Sequence, residues 1–323
     1  MKKKLVRRLE LPLFLLLIAV CVLLAINRRY STAVTNGVCL WFACVLPALF
    51  PYFFITTVLS SLSVTSKIAK RISPVTVKAF SVNGCVGYAL IMSFISGYPL
   101  GAKIISDLKN DKLISNEEAV RGSALCSFSS PMFLIGSVGS IMFNSTAFGL
   151  ALFLCHFLSV LLTGFIFSFY KRKTHPPLNS EMVFRKADFK IYESVYSSVT
   201  SVLSVGGIIT LFYLLCEILS SLNLLTPLNV LLTPIFGENI AKTISLGIFE
   251  CTLSLKNLSL SGITPFSLPV ACACCSFGGL SVIVQSVAFL SSAKIKIAPF
   301  FLSKILSAIF AFVLGLIFNF LVL

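Results

Sequence analysis

Charge is scarce in this sequence, and acidic charge is scarcest. Only 11% of its 323 residues are charged, with 11 Asp and Glu against 26 Lys and Arg, while 57% are hydrophobic. A soluble domain carries about 25% charged residues, because its surface must face water. The composition therefore excludes an ordinary soluble domain and predicts a protein whose main solvent is the lipid bilayer.

The sequence also lacks the motifs of enzymes. It contains no nucleophile motif, phosphate-binding loop or cluster of metal ligands, and the segments between its apolar runs are too short for a nucleotide-binding domain. We therefore expect no enzymatic activity and no cofactor, and we exclude an ATPase domain within this chain.

Cysteine is present but implies no bridge or metal. Most of the 11 cysteines lie inside apolar runs, where cysteine behaves as a small hydrophobe, so no disulfide framework is expected. Cys272 and Cys275 have the spacing of a CxxC pair, but no second pair or nearby histidine completes a zinc site.

Long apolar runs recur along the whole chain. A helix of about 20 residues crosses the roughly 30 Å hydrocarbon layer, so runs near that length predict transmembrane helices. The runs are Leu11–Ile26, Val38–Val58, Ala124–Phe143, Ala147–Phe169, Val199–Leu222, Leu268–Leu290 and Ile297–Leu321.

Basic residues lie mostly in the short loops between these runs. That is the orientation signal of a membrane protein, and it argues against a nucleic-acid surface. The first run follows a basic segment, and residues 26–29 after it offer no small-residue cleavage site, so we predict an uncleaved anchor with a cytoplasmic amino terminus. The loops around Lys67 and Lys173 are predicted to be cytoplasmic as well.

Two apolar stretches are interrupted, and we predict that both are re-entrant hairpins. Val82–Leu108 contains the interruption Ser96–Lys103, and its 14-residue first arm reaches only about 21 Å. A full crossing there would also place the later basic loop outside, against the charge rule. Ala241–Ile263 is interrupted at Phe249–Thr252. The predicted fold class is an all-α membrane protein with about seven transmembrane helices plus two re-entrant hairpins.

Two internal matches predict an inverted repeat. Val45–Leu62 and Val205–Leu222 share a terminal Leu-Ser-Ser-Leu at an offset of 160 residues, and Cys126–Ser130 resembles Cys275–Gly279 at an offset of 149. With the charge-derived topology the second copy is upside down, as in many secondary transporters. The predicted organisation is an anchor (1–37), a first repeat (38–169), a cytoplasmic basic linker (170–198) and a second, inverted repeat (199–323).

Helix interruptions inside a membrane point to a binding site, because unpaired backbone groups are tolerated there only beside protein or a wet cavity. A packing kink is the alternative for any single interruption, but four in matching positions favour a site. The four interruptions are Gly97–Lys103, Ser127–Pro131, Phe249–Thr252 and Ser276–Gly279. The predicted solute-binding residues are Gly97, Tyr98, Pro99, Gly101, Lys103, Ser129, Ser130, Pro131, Glu250, Thr252, Ser276, Gly278, Gly279 and Gln285.

Ionisable groups inside the membrane are costly and need a specific role. We expect a substrate or ion role for Lys103 and Glu250, and an interface role for Glu217. His156 is expected either to carry a proton or to pack with its ring hydrogen-bonded. Gln285 is expected either to contact the solute or to bond to another helix.

Several of these segments resemble a known family. Ser96–Lys103, Ser129–Gly139 and Gly278–Ser281 are similar to segments of the YlbJ-type sporulation integral membrane proteins, in the wider group with the nucleoside-recognition (Gate) domain. The resemblance implies a role in endospore formation, in the bacterial inner membrane or a membrane around the developing spore. It does not by itself imply nucleoside transport, because a fold is shared more widely than a substrate.

Together these features predict a secondary transporter or channel for a small polar or anionic solute during endospore formation. Its expected partners are that solute and the lipid bilayer, with no nucleic acid, and self-association into a homo-oligomer is left open. The alternative is a non-transporting membrane scaffold needed for spore-envelope assembly.

Overall fold

The computed structural model describes residues 27–61, 64–172 and 191–322, together with a few single positions between residues 14 and 22. All secondary structure in these ranges is helical, and no strand occurs in them. The all-α fold class is therefore confirmed. Most of the predicted anchor Leu11–Ile26 and most of the basic linker lie outside the described residues.

The helices follow one another with short connections, and two segments have π-helical geometry. In chain order they are α1 (Arg28–Leu40), a π-helical segment (Trp41–Val45), α2 (Leu46–Ser61), α3 (Val64–Phe80), α4 (Gly84–Ser96), α5 (Leu100–Asn110), α6 (Asn116–Leu125), a second π-helical segment (Met132–Met142), α7 (Thr146–Phe167), α8 (Ile191–Ser221), α9 (Thr226–Phe236), α10 (Glu238–Phe249), α11 (Cys251–Leu260), α12 (Ser267–Phe277), α13 (Gly279–Ser292) and α14 (Ile297–Val322).

Five helical stretches in the described ranges are long and apolar enough to cross a membrane. A sixth candidate is the pair α3 and α4, which bend by 96° at their junction. The protein is thus a multi-pass membrane protein, as predicted. The five stretches are Arg28–Leu59, Thr146–Phe167, Ile191–Ser221, Ser267–Ser292 and Ile297–Phe320.

Three sequence-based boundaries differ from the structure. The second predicted run begins at Arg28 rather than Val38, because the Asn27 side chain caps a helix there by accepting the Arg29 N–H. Arg29 of this helix also pairs with Glu217 of α8. The segment around Lys67, predicted as a loop, is helix α3. The run Ala124–Phe143 is not one helix, since residues 126–130 leave the helix between α6 and the second π-helical segment.

One acidic residue, Glu118, holds the first residues of helices α4 and α6 together. Ser115 and Glu118 form a capping box at the start of α6, each side chain accepting a backbone N–H of the other residue. The second carboxylate oxygen of Glu118 accepts the N–H of Asn83, whose own side chain caps α4 through Cys85. One buried carboxylate therefore ties the beginnings of two helices together.

Two helix pairs fold back on themselves. Thr243 and Asn257 lie seven residues before and after Glu250, and Asn257 Nδ2 donates a hydrogen bond to Thr243 Oγ1 at 2.9 Å. Helices α10 and α11 are therefore antiparallel arms of a hairpin with its tip at Glu250. Ser93 of α4 and Gly101 of α5 lie four residues before and after Gly97, and they pack against each other. These two helices therefore also form a hairpin, with its tip near Gly97.

The predicted cytoplasmic turns gather at one end of the molecule. Asn116 and Glu117 at the start of α6, Lys171 after α7, and Lys294 and Lys296 before α14 line one polar recess of about 230 Å³. This placement agrees with the charge-derived topology, in which all these turns share a side.

Candidate functional site

Each hairpin tip rests on a helix break of its own half, and glycine makes the contact. Gly97 has a φ of +78°, and a Cβ there would lie 2.6 Å from the Ser130 backbone nitrogen. A Cβ on Gly101 would overlap the Cys126 carbonyl oxygen. The first tip therefore reaches the break at residues 126–130 only because these two positions lack a side chain.

The second half repeats this contact. Helices α12 and α13 are separated by a break at Gly278 and Gly279, which have φ values of +82° and +74°. A Cβ on Gly279 would lie 2.9 Å from the Phe249 carbonyl oxygen, at the tip of the second hairpin. Both predicted breaks are thus tight backbone contacts.

His156 of α7 joins the breaks of the two halves. Its Nε2 accepts a hydrogen bond from the Ser129 N–H at 2.9 Å, and its Nδ1 lies 2.8 Å from the Ser276 hydroxyl. Because Nε2 accepts, it carries no proton, so Nδ1–H is the donor to Ser276 and the ring is neutral. His156 is completely buried. Of its two expected roles, this geometry favours the packing histidine.

Lys304 of α14 joins the first tip to the first break. Its ammonium donates to the Tyr98 hydroxyl at 2.6 Å and to the Ser127 hydroxyl at 3.1 Å, and it lies 4.2 Å from the centre of the Tyr98 ring. The Tyr98 hydroxyl in turn lies 3.4 Å from the Cys275 carbonyl oxygen, in the second broken helix. Hairpin, break and final helix are therefore held by one buried cation.

Glu250 forms the tip of the second hairpin. Its Oε2 accepts the Leu253 N–H and caps α11. Within the described ranges its Oε1 has no hydrogen bond of good geometry, although the hydroxyls of Thr252 and Ser281 lie beside the carboxylate. The side chain is completely buried. A cap needs only one of these oxygens, so the other is free for a further contact.

Six predicted residues line one internal cavity of about 50 Å³, which we call the central cavity. It lies between the two hairpin tips and the first break, and its other walls come from α2, α8 and α13. The polar residues in its lining are Tyr98, Ser129, Ser130, Glu250, Thr252 and Gln285.

A second cavity of about 330 Å³, the vestibule, adjoins the central cavity, and both are lined by Val205 and Gln285. Pro99 and Lys103 of the first hairpin line one side of it. The other side is a hydroxyl stripe on α8, at the helical spacing of one face. The stripe consists of Ser197, Thr200, Ser201 and Ser204.

The remaining predicted residues lie around these cavities. Ser276 contacts His156, and Gly278 and Gly279 form the second break. Pro131 begins the second π-helical segment and lines neither cavity. Lys103 lines the vestibule, whereas Glu250 lines the central cavity, so the two ionisable residues that were predicted to have a substrate or ion role lie in different cavities.

Lys304 and Ser127 are site residues that the sequence reasoning did not assign to the site. Lys304 lies within the last apolar run, where an ionisable residue is itself a signal of function. The flanking Ser303 and Ser307 add a small polar face on the same run. Its connection to Tyr98, 206 residues away, depends on the tertiary fold.

Comparison with known proteins gives one informative relative. The sporulation integral membrane protein YlbJ of Bacillus subtilis (strain 168) is 28% identical over 302 residues, which cover 85% of this chain and 74% of the relative. This confirms the resemblance to YlbJ-type proteins. No family model matches the chain, and no solved structure gives a significant match. The chain is thus similar to a sporulation integral membrane protein, and its long apolar helices agree with that description.

Proposed function

We propose that this protein moves a small polar or anionic solute across a membrane during endospore formation, as a secondary transporter or channel, and that it has no enzymatic activity. The observation that carries the proposal is the central cavity. Polar groups from two hairpin tips and a helix break line this one cavity. Two of them, Tyr98 and Glu250, are more than 150 residues apart in the sequence. A kink that served packing alone would be filled with apolar side chains.

The two halves support an inverted repeat of Gate-like units. Each has a helical hairpin whose tip contacts a broken helix of the same half through glycine. We infer that both hairpins are re-entrant and enter from opposite sides, because the basic turns gather at the end of the molecule that would face the cytoplasm. Such a repeat places the two tips face to face at the site.

The two cavities outline a route for the solute. The vestibule has a lysine and a stripe of hydroxyls, which suit a polar or anionic solute. The central cavity has room for about one or two waters, so Val205 and Gln285 must separate before a solute can pass from one cavity to the other. Movement at this shared wall would make access alternate between the two sides.

A non-transporting scaffold for spore-envelope assembly is the competing function, and one observation favours it. Helix α9 buries none of its residues within the described structure, and its apolar side chains Val230, Leu231 and Ile235 are exposed. Such a surface could hold another membrane protein as well as lipid.

Uptake into vesicles that contain only this protein distinguishes the two functions. A transporter takes up at least one member of a panel of nucleosides and small aromatic carboxylates, and Gly101→Leu abolishes that uptake. The control is Gly207→Ala on α8, where a Cβ would meet nothing within 4 Å. Full sporulation by a Gly101→Leu strain, with no uptake by the normal protein, would instead favour the scaffold.

A further inference from the structure

Lys304 is a buried lysine whose hydrogen-bond partners are hydroxyl groups. It is 1% exposed, and in the described part of the chain its ammonium hydrogen bonds go to Tyr98 and Ser127. A buried charge costs several kcal/mol unless other groups compensate it, so a cation that served packing alone would be expected to have a carboxylate partner. Lys304 instead lies against the ring and hydroxyl of a residue that lines the central cavity.

The ammonium fixes the direction of the Tyr98 hydrogen bond. When Lys304 is protonated, its ammonium group has donors only, so the Tyr98 oxygen accepts and its own O–H points to another acceptor. The Cys275 carbonyl oxygen is 3.4 Å away, longer than the 2.7–2.8 Å usual for such bonds. Among the described residues the Tyr98 O–H therefore makes only this long hydrogen bond, and it can turn to donate a hydrogen bond to an oxygen in the cavity.

Glu250 adds a hydrogen-bond acceptor to the lining of the central cavity. Its carboxylate lines the same cavity and keeps one oxygen without a well-formed hydrogen bond. The lining of the cavity thus contains a donor, Tyr98, beside a lysine and an acceptor, Glu250. Once Val205 and Gln285 separate to admit a solute, these groups would bind one that carries both an anionic oxygen and an N–H or O–H donor.

We propose that Tyr98 is the residue that recognises the anionic oxygen of the solute, and that Lys304 is the positioning residue that orients Tyr98 and supplies the positive charge behind it. This inference rests on the proposed transport function and deepens it. It assigns anion selection to the central cavity, at Tyr98, rather than to Lys103 in the vestibule.

The test compares uptake of two solutes that differ in charge but not in shape. An aminobenzenedicarboxylate and its neutral diamide share an N–H donor and differ in their anionic oxygens. Vesicles carry the normal protein, Tyr98→Phe, Lys304→Met, Lys304→Arg or Lys103→Gln. The control is Lys296→Gln, which removes an exposed positive charge outside both cavities.

We expect Tyr98→Phe and Lys304→Met to lower uptake of the dicarboxylate relative to the diamide by about 10- to 100-fold, the loss typical of a hydrogen bond to a charged group. Lys304→Arg keeps a cationic donor and should retain most of the preference, and Lys296→Gln should retain all of it. If Lys304→Met fails to fold, Tyr98→Phe still decides the matter, because it removes a single oxygen atom.

Three results would overturn the inference. An unchanged uptake ratio in a folded Tyr98→Phe protein would show that its hydroxyl does not select charge. A ratio that shifts only with Lys103→Gln would place anion recognition in the vestibule, while leaving the transport function intact. Uptake of neither these two solutes nor any member of the wider panel by the normal protein would contradict the transport function itself, and with it this assignment.

Discussion

At the scale of single residues, the polar groups of the site are held by directed hydrogen bonds across the two halves. His156 is the central example, because one neutral ring satisfies a backbone N–H in the first half and a hydroxyl in the second. Burial makes these bonds important, since a buried polar group that loses its partner costs about 1–3 kcal/mol.

We therefore expect His156→Phe to lower the stability of the folded protein by about 1–3 kcal/mol for each of the two groups it strands. Thermal melting in detergent measures the loss. His156→Gln is the matched variant, because its amide oxygen can still accept the Ser129 N–H. Its melting temperature should fall between those of His156→Phe and the normal protein. A melting temperature of His156→Phe equal to that of the normal protein would show that the two bonds contribute little.

Gly101 offers a second test at this scale, because its neighbour is backbone and cannot move aside easily. Even Gly101→Ala places a methyl group onto the Cys126 carbonyl, and overpacking of this kind costs about 1–3 kcal/mol. We expect Gly101→Ala and Gly97→Leu to reach the membrane in normal amounts but to lose function. Sporulation counts and membrane protein levels measure both. Normal sporulation in Gly97→Leu would indicate that the tip is a packing kink.

At the scale of helices, the hairpin tips depend on caps. Glu250 ends α10 and starts α11, and its carboxylate accepts the Leu253 N–H at the first turn. The same side chain lines the central cavity. Substitutions at Glu250 can distinguish the effect of the helix cap from the effect of the negative charge.

Glu250→Gln keeps an oxygen that can cap α11 but removes the charge, whereas Glu250→Ala removes both. We expect Glu250→Ala to lose about 0.5–2 kcal/mol of stability, the usual cost of an N-cap, and Glu250→Gln to melt near the normal protein. If the carboxylate is a coupling site, Glu250→Gln should also abolish the dependence of uptake on a proton or cation gradient while solute binding persists. Unchanged gradient dependence in Glu250→Gln would limit Glu250 to capping.

At the scale of the whole molecule, the ends of the helices define two faces. Asn83, three residues after the end of α3, donates to Glu118 near the start of α6, beside the recess that holds the basic turns. The end of α3 therefore lies at that face, where the charge rule also places Lys67. The first turns of α8 line the vestibule together with Phe289, five residues before Lys294, and the 31 residues of α8 extend about 46 Å. Its last turn and Asn223 are therefore at the opposite end.

A single cysteine at Lys67 in a cysteine-free protein should resist an impermeant thiol reagent applied outside the cell, and one at Asn223 should react. Both positions are exposed, so accessibility in the folded protein does not bias the comparison. A cysteine at Lys173, a position outside the described residues, should also resist. Labelling of Lys67 or Lys173 from outside would refute the topology.

The comparison of sequence and structure shows where each kind of reasoning succeeds. The breaks at residues 126–130 and at Gly278 were predicted from glycine, proline and serine within apolar runs, and the break at Glu250 from the polar residues Glu250 and Thr252; the structure contains all three. These are local effects of residues that cannot continue a helix or can replace its hydrogen bonds. Helix α9 was not predicted, because its 11 residues are too few to register as a span.

The sequence by itself determined the solvent, the helical class and the positions of the breaks, because hydrophobic length and backbone chemistry act within a few residues of the chain. Only the tertiary structure decided which polar groups meet. Lys103, near the first tip in sequence, lies in the vestibule, whereas Lys304, 206 residues beyond Tyr98, touches its hydroxyl. Contacts across the two halves depend on how whole helices pack, and no spacing within the chain encodes that distance.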